Sequence, residues 1–158
     1  MAKKILIPLD GSEIGEAALR YVEEMISDLE VGGRIEVILI HVIAIPIQRV
    51  EIRQNISIAE PLTEEEIEIM KQKALDYLEK SGEGLKSKGV DVRYMVLDID
   101  TSTSSAEGII KAEEELNIDL VAMSTHGRRG ISRWAFGSVT EKVLRGGNVP
   151  VLVVRAKK

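Results

Sequence analysis

The chain has 158 residues, 44% hydrophobic but only 3% aromatic, with a net charge of −5. That composition excludes a disordered chain and fits one domain whose core is built from Ile, Leu, Val and Ala. The acidic balance argues against nucleic acid as the main partner, and the absence of cysteine excludes disulfides and thiolate chemistry.

No apolar run reaches the roughly 18 residues that a membrane helix needs. "MAKKILIPLDGS" holds only a short apolar run broken by Pro8, which does not resemble a signal peptide. The reading is a soluble cytoplasmic protein with no membrane partner.

Residues 4–9, "KILIPL", read as a strand, and "DGS" (10–12) breaks it. Ile14, Ala17, Ala18, Tyr21, Val22, Met25, Ile26 and Leu29 recur at helical spacing as one face, stopped by Gly32 and Gly33. "RIEVILIHVI" (34–43) is too apolar to be exposed on either side and reads as a buried strand. Residues 44–62 carry scattered Ile and two prolines without a clean period, and read as an irregular insertion. Thr63 and Glu66 form a capping box. It opens a helix with the face Ile67, Met70, Ala74, Tyr77, Leu78 and Leu85, ending at Gly89. "VDVRYMVL" (90–97) alternates like a half-buried strand. The polar loop "DIDTSTSS" (98–105) follows, and its last serines can cap a helix over about 105–117. "DLVAM" (119–123) is the fourth strand, a helix covers about 138–146, and "NVPVLVV" (148–154) is the last strand.

Strands alternating with helices imply a parallel sheet covered on both faces, with right-handed crossovers. In such sheets ligands bind beyond the carboxyl ends of the strands, where the strand order reverses. If the first strand is central, "DGS" meets the segment "STHGRRGISRWAFGS" (124–138) there. Glycines let backbone amides approach a ligand, and successive amides form an anion-binding nest. The segment ends in "GS" at a helix start, where unpaired amides and the dipole favour anions. Arg128, Arg129 and Arg133 add positive charge, so the chemistry suits phosphate groups. Neither G-x-x-x-x-G-K-[ST] nor a G-x-G-x-x-G after the first strand is present.

Gly127, nine further residues, then Gly137 and Ser138 resemble the G-x-x-G, nine residues, G-[ST] motif of the universal stress protein family. Ser124 stands where that motif begins with glycine. The resemblance runs through "ILIPLDGS", "HV", "NIDLVAMSTHGRRG", "GSVTEKVLR" and "VPVLVV", nearly the whole chain. A second departure is "DIDTST" (98–103), where family members often carry a glycine.

The resemblance implies an α/β three-layer sandwich, adenine nucleotide alpha hydrolase-like and Rossmann-like, with a five-stranded parallel sheet of order 3-2-1-4-5. It also implies ATP, with or without Mg2+, as the ligand. The candidate binding set is Pro8, Leu9, Asp10, Val42, Met123, Ser124, His126, Gly127, Arg128, Gly130, Gly137, Ser138, Val139 and Thr140. Within it, Asp10 and Val42 would line the adenosine end. Gly127, Gly137, Ser138 and Val139 would hold ribose and phosphates, helped by Thr140 and by Ser124, whose hydroxyl could face a phosphate.

Two roles stay open for Asp10: capping the first helix with Glu13, or contacting a base or divalent ion. His126 has no carboxylate or nucleophile placed to orient it, so no catalytic residue is assigned. His41 reads as structural, Trp134 and Phe136 as anchors of the loop rather than a lid, and no metal-site spacing occurs.

The functional expectation is an ATP-dependent switch or sensor in a stress response, with slow hydrolysis and an unidentified protein partner. The alternatives are a true ATPase or phosphotransferase, and an interaction module that binds no nucleotide. A bare apolar edge at 149–154 invites pairing with another chain, and the resemblance implies a homodimer through that strand. Whether the insertion at 44–62 packs on the partner is left open.

Overall fold

Five apolar segments become the parallel strands of one sheet, because helices shield both of its faces from water. The structure is a computed structural model that describes residues 2–28, 34–125 and 137–156. In chain order the elements are β1 (Lys3–Pro8), α1 (Ala17–Asp28), β2 (Ile35–Ala44), β3 (Arg49–Arg53), β4 (Ile56–Glu60) and α2 (Glu64–Ser81). They continue with α3 (Glu83–Ser87), β5 (Asp91–Ile99), α4 (Ser105–Leu116), β6 (Leu120–Thr125), α5 (Ser138–Gly146) and β7 (Val151–Arg155).

The main sheet runs β5-β2-β1-β6-β7, all parallel, which is the expected order 3-2-1-4-5 once β3 and β4 are set apart. β1 pairs with β2 from Lys3↔Ile35 to Pro8↔Ile40, and with β6 through Ile5↔Leu120 and Leu6↔Val121. The chain leaves β1 toward β2 and later returns on its other side as β6. The order therefore reverses at β1, which opens a crevice at its carboxyl end.

Alternate residues of the strands feed two cores. Ile5, Ile7, Val37 and Leu39 pack with Ala18, Leu19 and Val22 of α1 and Leu78 of α2. Leu6, Ile38, Ile40 and Met123 pack on the opposite face with Ala106, Ile109 and Ala112 of α4 and Val143 of α5. Two covered faces explain why the strands are apolar runs rather than alternations.

Three expectations need correction. Residues 44–62 are not irregular: β3 and β4 form an antiparallel hairpin, paired from Arg49↔Glu60 to Arg53↔Ile56. Gln54 and Asn55 link the strands with φ of 50° and 63°, the two left-handed residues of a type I′ turn. The helix expected to end at Gly89 stops at Ser81 instead, and a short α3 follows. Tyr94 and Leu39 press so closely on Gly82 that an added Cβ would lie 2.8 Å from the Tyr94 ring. Finally, α1 starts at Ala17, leaving Ile14 and Tyr21 exposed rather than on the buried face.

Candidate functional site

The crevice is built first by the turn after β1. Leu9 extends the strand, its amide donating to the Ile40 carbonyl at 2.8 Å. Its own carbonyl meets His41 Nδ1 at 2.7 Å, which fixes that imidazole against the strand end. Gly11 then takes φ +85°, a conformation glycine adopts without strain. Asp10 Oδ1 accepts from the Ser12 amide at 2.9 Å and the Ser12 hydroxyl at 2.6 Å. Ser12 Oγ in turn accepts from the Gly15 amide at 3.0 Å.

Ser12 therefore caps the turn that leads into α1, while Asp10 braces Ser12. Burial pushes the Asp10 carboxyl up, but the Ser12 hydroxyl and amide, aided by His41, outweigh it and hold the group below its ordinary value. Asp10 is thus an anion held in place through Oδ1. Gly15 is required beneath it, because a Cβ there would lie 2.5 Å from Oδ1.

Behind this turn the His41 ring meets the Tyr77 ring edge-on, with centroids 5.7 Å apart. Tyr77 donates to Glu16 Oε1 at 3.1 Å. Burial and the Glu16 carboxylate push the Tyr77 phenol up to about 12, so it stays a neutral donor. His41 is structural as expected. The braces Ser12, Glu16 and Tyr77 escaped the sequence reading, since only the fold brings them together.

The second wall is the end of β6. Met123 is buried and Ser124 half-buried. The Ser124 hydroxyl donates to the Gly15 carbonyl at 2.9 Å and accepts from the Ala18 amide at 2.8 Å. Its single proton is spent on that carbonyl. In this structure the hydroxyl ties the start of α1 to β6.

The third wall is the start of α5. Gly137 is its N-cap, with φ −55° and ψ 150°, and no described side chain caps the helix. The Gly137 carbonyl accepts from the Glu141 amide at 3.0 Å, so the helix is properly wound from its first turn. Nothing described lies within 4 Å of the position a Gly137 Cβ would occupy. Ser138 is exposed, Val139 half-buried and Thr140 buried, with its hydroxyl reaching the Ser124 carbonyl at 3.4 Å. Thr140 thus ties α5 to the end of β6.

Pro8, Leu9, Asp10, Val42, Met123, Ser124, Gly137, Ser138, Val139 and Thr140 all sit on β1, β2, β6, α5 or the turns at their ends. Pro8, Val42 and Val139 are half-buried around that edge, whereas Leu9 and Met123 are buried beneath it. His126, Gly127, Arg128 and Gly130 lie outside the described residues, as do Arg129, Arg133, Trp134 and Phe136. Among the described residues no cluster of His, Asp and Glu could hold a metal ion. No helix among them is long and apolar enough to cross a membrane.

A cleft of about 330 Å³, unforeseen in the sequence, opens at the root of the hairpin. Ile45, Pro46, Ile47, Pro61, Leu62, Ile67 and Ile99 line it, with Asp98 and Asp100.

Comparison with known proteins agrees with this geometry. Residues 1–155 match the model of the universal stress protein family. A universal stress protein of Methanocaldococcus jannaschii, MJ0577, is 34% identical over 99% of this chain and 97% of its own length. A solved structure described as a structure-based assignment of the biochemical function of MJ0577 superposes with a TM-score of 0.68, covering 100% of this chain and 99% of that one at 30% identity. The structure of PH0823 gives a TM-score of 0.66 at 26% identity, covering 100% and 99% of the two chains. More distant proteins at 15–16% identity share the fold. They are solved with AMP (Arabidopsis thaliana), with dAMP (Archaeoglobus fulgidus) and with cAMP.

Proposed function

Because the chain belongs to the universal stress protein family, we propose that it is an ATP-binding switch or sensor of a stress response. The nucleotide would lie across the crevice where β1 gives way to β6. One observation carries this reading: among the described residues α5 begins with no side-chain cap and with an open glycine, and it is tied to the end of β6, the strand beside the one whose turn holds Asp10 as an anion.

The first amides of α5 have no partner within the helix, and the dipole end is positive. They suit phosphate oxygens, and the exposed Ser138 hydroxyl adds a donor beside them. Asp10 Oδ1 is taken by Ser12, which leaves Oδ2 to accept from a ribose hydroxyl or a base amine. His126, Gly127, Arg128 and Gly130 belong to this proposal through the motif alone. A Mg2+ ion accompanying a triphosphate takes phosphate and water oxygens as ligands. The distant relatives that hold AMP, dAMP and cAMP support an adenine ligand.

Hydrolysis is slow in this reading, since Asp10 is committed to its turn and no base is assigned. The same proposal includes a homodimer through the C-terminal strand, a cytoplasmic location and a protein partner that reads the loop once nucleotide is bound.

The test is calorimetry with ATP, ADP and AMP on the wild type and on Gly137→Leu. No described residue crowds that Cβ, so the expected stability loss is about 1 kcal/mol, the cost of a poorer N-cap. Affinity for ATP should fall at least about tenfold, a loss of about 1.4 kcal/mol. A wild type that binds no ATP, or a variant that binds it unchanged, sinks the reading.

A further inference from the structure

We propose that the β3–β4 hairpin is a self-association arm, whose apolar face docks on the same face of a second copy of this chain. The four most exposed large apolar side chains described, Ile47, Val50, Ile52 and Ile56, all fall within residues 47–56. Val50 and Ile52, 65% and 76% exposed, share one face of the hairpin, while Ile56 lies on the other and Ile47 precedes the strands. No other described element packs closely on the hairpin, and a lone two-stranded hairpin is at best marginally stable in water. The pairing register nevertheless holds over all five positions.

That register sorts the side chains by face. Residues directly opposite share a face, so Val50 with Ala59 and Ile52 with Ser57 form one side. All four are exposed. The other side carries Glu51 and Arg53, bonded to each other at 2.6 Å, with Ile58 and Ile56 opposite them, so only the first side is free of charge.

The first face has a shape that selects its occupant. One strand contributes two branched side chains and the other two small ones, so a ridge runs beside a trough. A two-fold axis parallel to the strands lays the ridge of one copy into the trough of the other. Ile52 then meets Ser57 of the second copy, and Val50 meets Ala59.

Charge agrees with this match. Residues 49–60 contain two Arg and two Glu, a neutral arm on a chain of net charge −5, so two arms meet without repulsion. A strongly charged partner finds nothing to recognise there. The arm springs from the β5 end of the sheet, whereas β7 lies at the opposite edge. This contact is therefore separate from any pairing through β7. The face is small, so association is weak and depends on concentration.

Sedimentation velocity over roughly 1 µM to 1 mM tests it, a range that spans weak dissociation constants. Wild type should gain mass with concentration, and Ile52→Asp should lose that step while keeping its nucleotide affinity and its melting temperature. Ile52→Ser leaves the trough unfilled, and Ser57→Ile sets ridge on ridge, so each alone should weaken association by about tenfold or more, which is about 1.4 kcal/mol. The exchange Ile52→Ser with Ser57→Ile should restore it. A wild type whose mass is independent of concentration, or an Ile52→Asp protein that associates as wild type does, overturns the proposal. The second result would mean that something other than a second copy covers the face.

Discussion

Ser124 and Glu113 are two polar side chains with opposite situations. The Ser124 hydroxyl joins the Gly15 carbonyl and the Ala18 amide, closing the start of α1 onto β6. Ser124→Ala strands both groups, and leaving such groups unpaired costs about 1–3 kcal/mol each when they are buried. Because they are only partly buried here, urea denaturation should show a loss of about 1–2 kcal/mol. Nucleotide affinity should change less than about twofold, since the hydroxyl faces inward. A variant with wild-type stability but weakened ATP binding would return Ser124 to the phosphate site.

Glu113, on α4, is 2% exposed, and its carboxylate oxygens have no well-formed hydrogen bond among the described residues, only the Asn148 backbone amide directed at them. Gly147 crosses so close that a Cβ there would lie 2.7 Å from Oε2. Burial pushes the Glu113 carboxyl up, against the Asn148 amide, and the neighbouring Glu114 charge adds to the rise. A raised folded value means that the fold binds the proton more tightly than the unfolded chain. Stability from this group is greatest below the ordinary carboxylate value and falls as pH rises through the raised one. Glu113→Gln removes the titration. Thermal melts should show the variant more stable than wild type near pH 7, with the gap closing toward pH 4, as linkage requires. An equal gap at both pH values contradicts a titrating buried carboxyl.

At the scale of elements, what was legible followed periodicity and capping chemistry. The boxes Thr63–Glu66 and Ser104–Glu107 form as their spacing dictates, each with both reciprocal bonds. α5 runs over Ser138–Gly146, where the apolar spacing puts it. The hairpin was missed although Val50, Ile52, Ile56 and Ile58 alternate, because Pro46 and Pro61 flank it. Its turn is Gln54-Asn55 rather than a glycine pair. The need for glycine at 82, where α2 ends, was illegible for a different reason: it comes from Tyr94, a residue of β5 packed across from it. The same limit applies to the site. The glycines and Asp10 could be read from spacing, whereas the use of Ser12 and Ser124 depends on contacts between segments up to 109 residues apart. Local sequence announces which amides are free. Only the assembled sheet decides which hydroxyls are already taken.

For the whole molecule, the remaining question is what lies beside β7. It pairs with β6 from Val121↔Val151 to Thr125↔Arg155, and no other described strand pairs with it. The Pro150 carbonyl accepts from Val121 and the Ala156 amide donates to Thr125. In a parallel ladder both backbone groups of a residue face the same neighbour, and successive residues alternate. Residues 152 and 154 therefore face β6, and 151, 153 and 155 face the free edge. This decides how the proposed dimer should be tested. Leu152 packs on the core beneath α1, so a proline or lysine there would damage the subunit as well as its edge. Val153→Pro instead removes a donor that points outward, in an edge strand where proline is tolerated. If two copies join antiparallel through this strand, Val153→Pro should sediment as a single copy in dilute solution while its circular dichroism stays that of the folded wild type. A variant that keeps the wild-type mass would mean that β7 is not the seam between subunits.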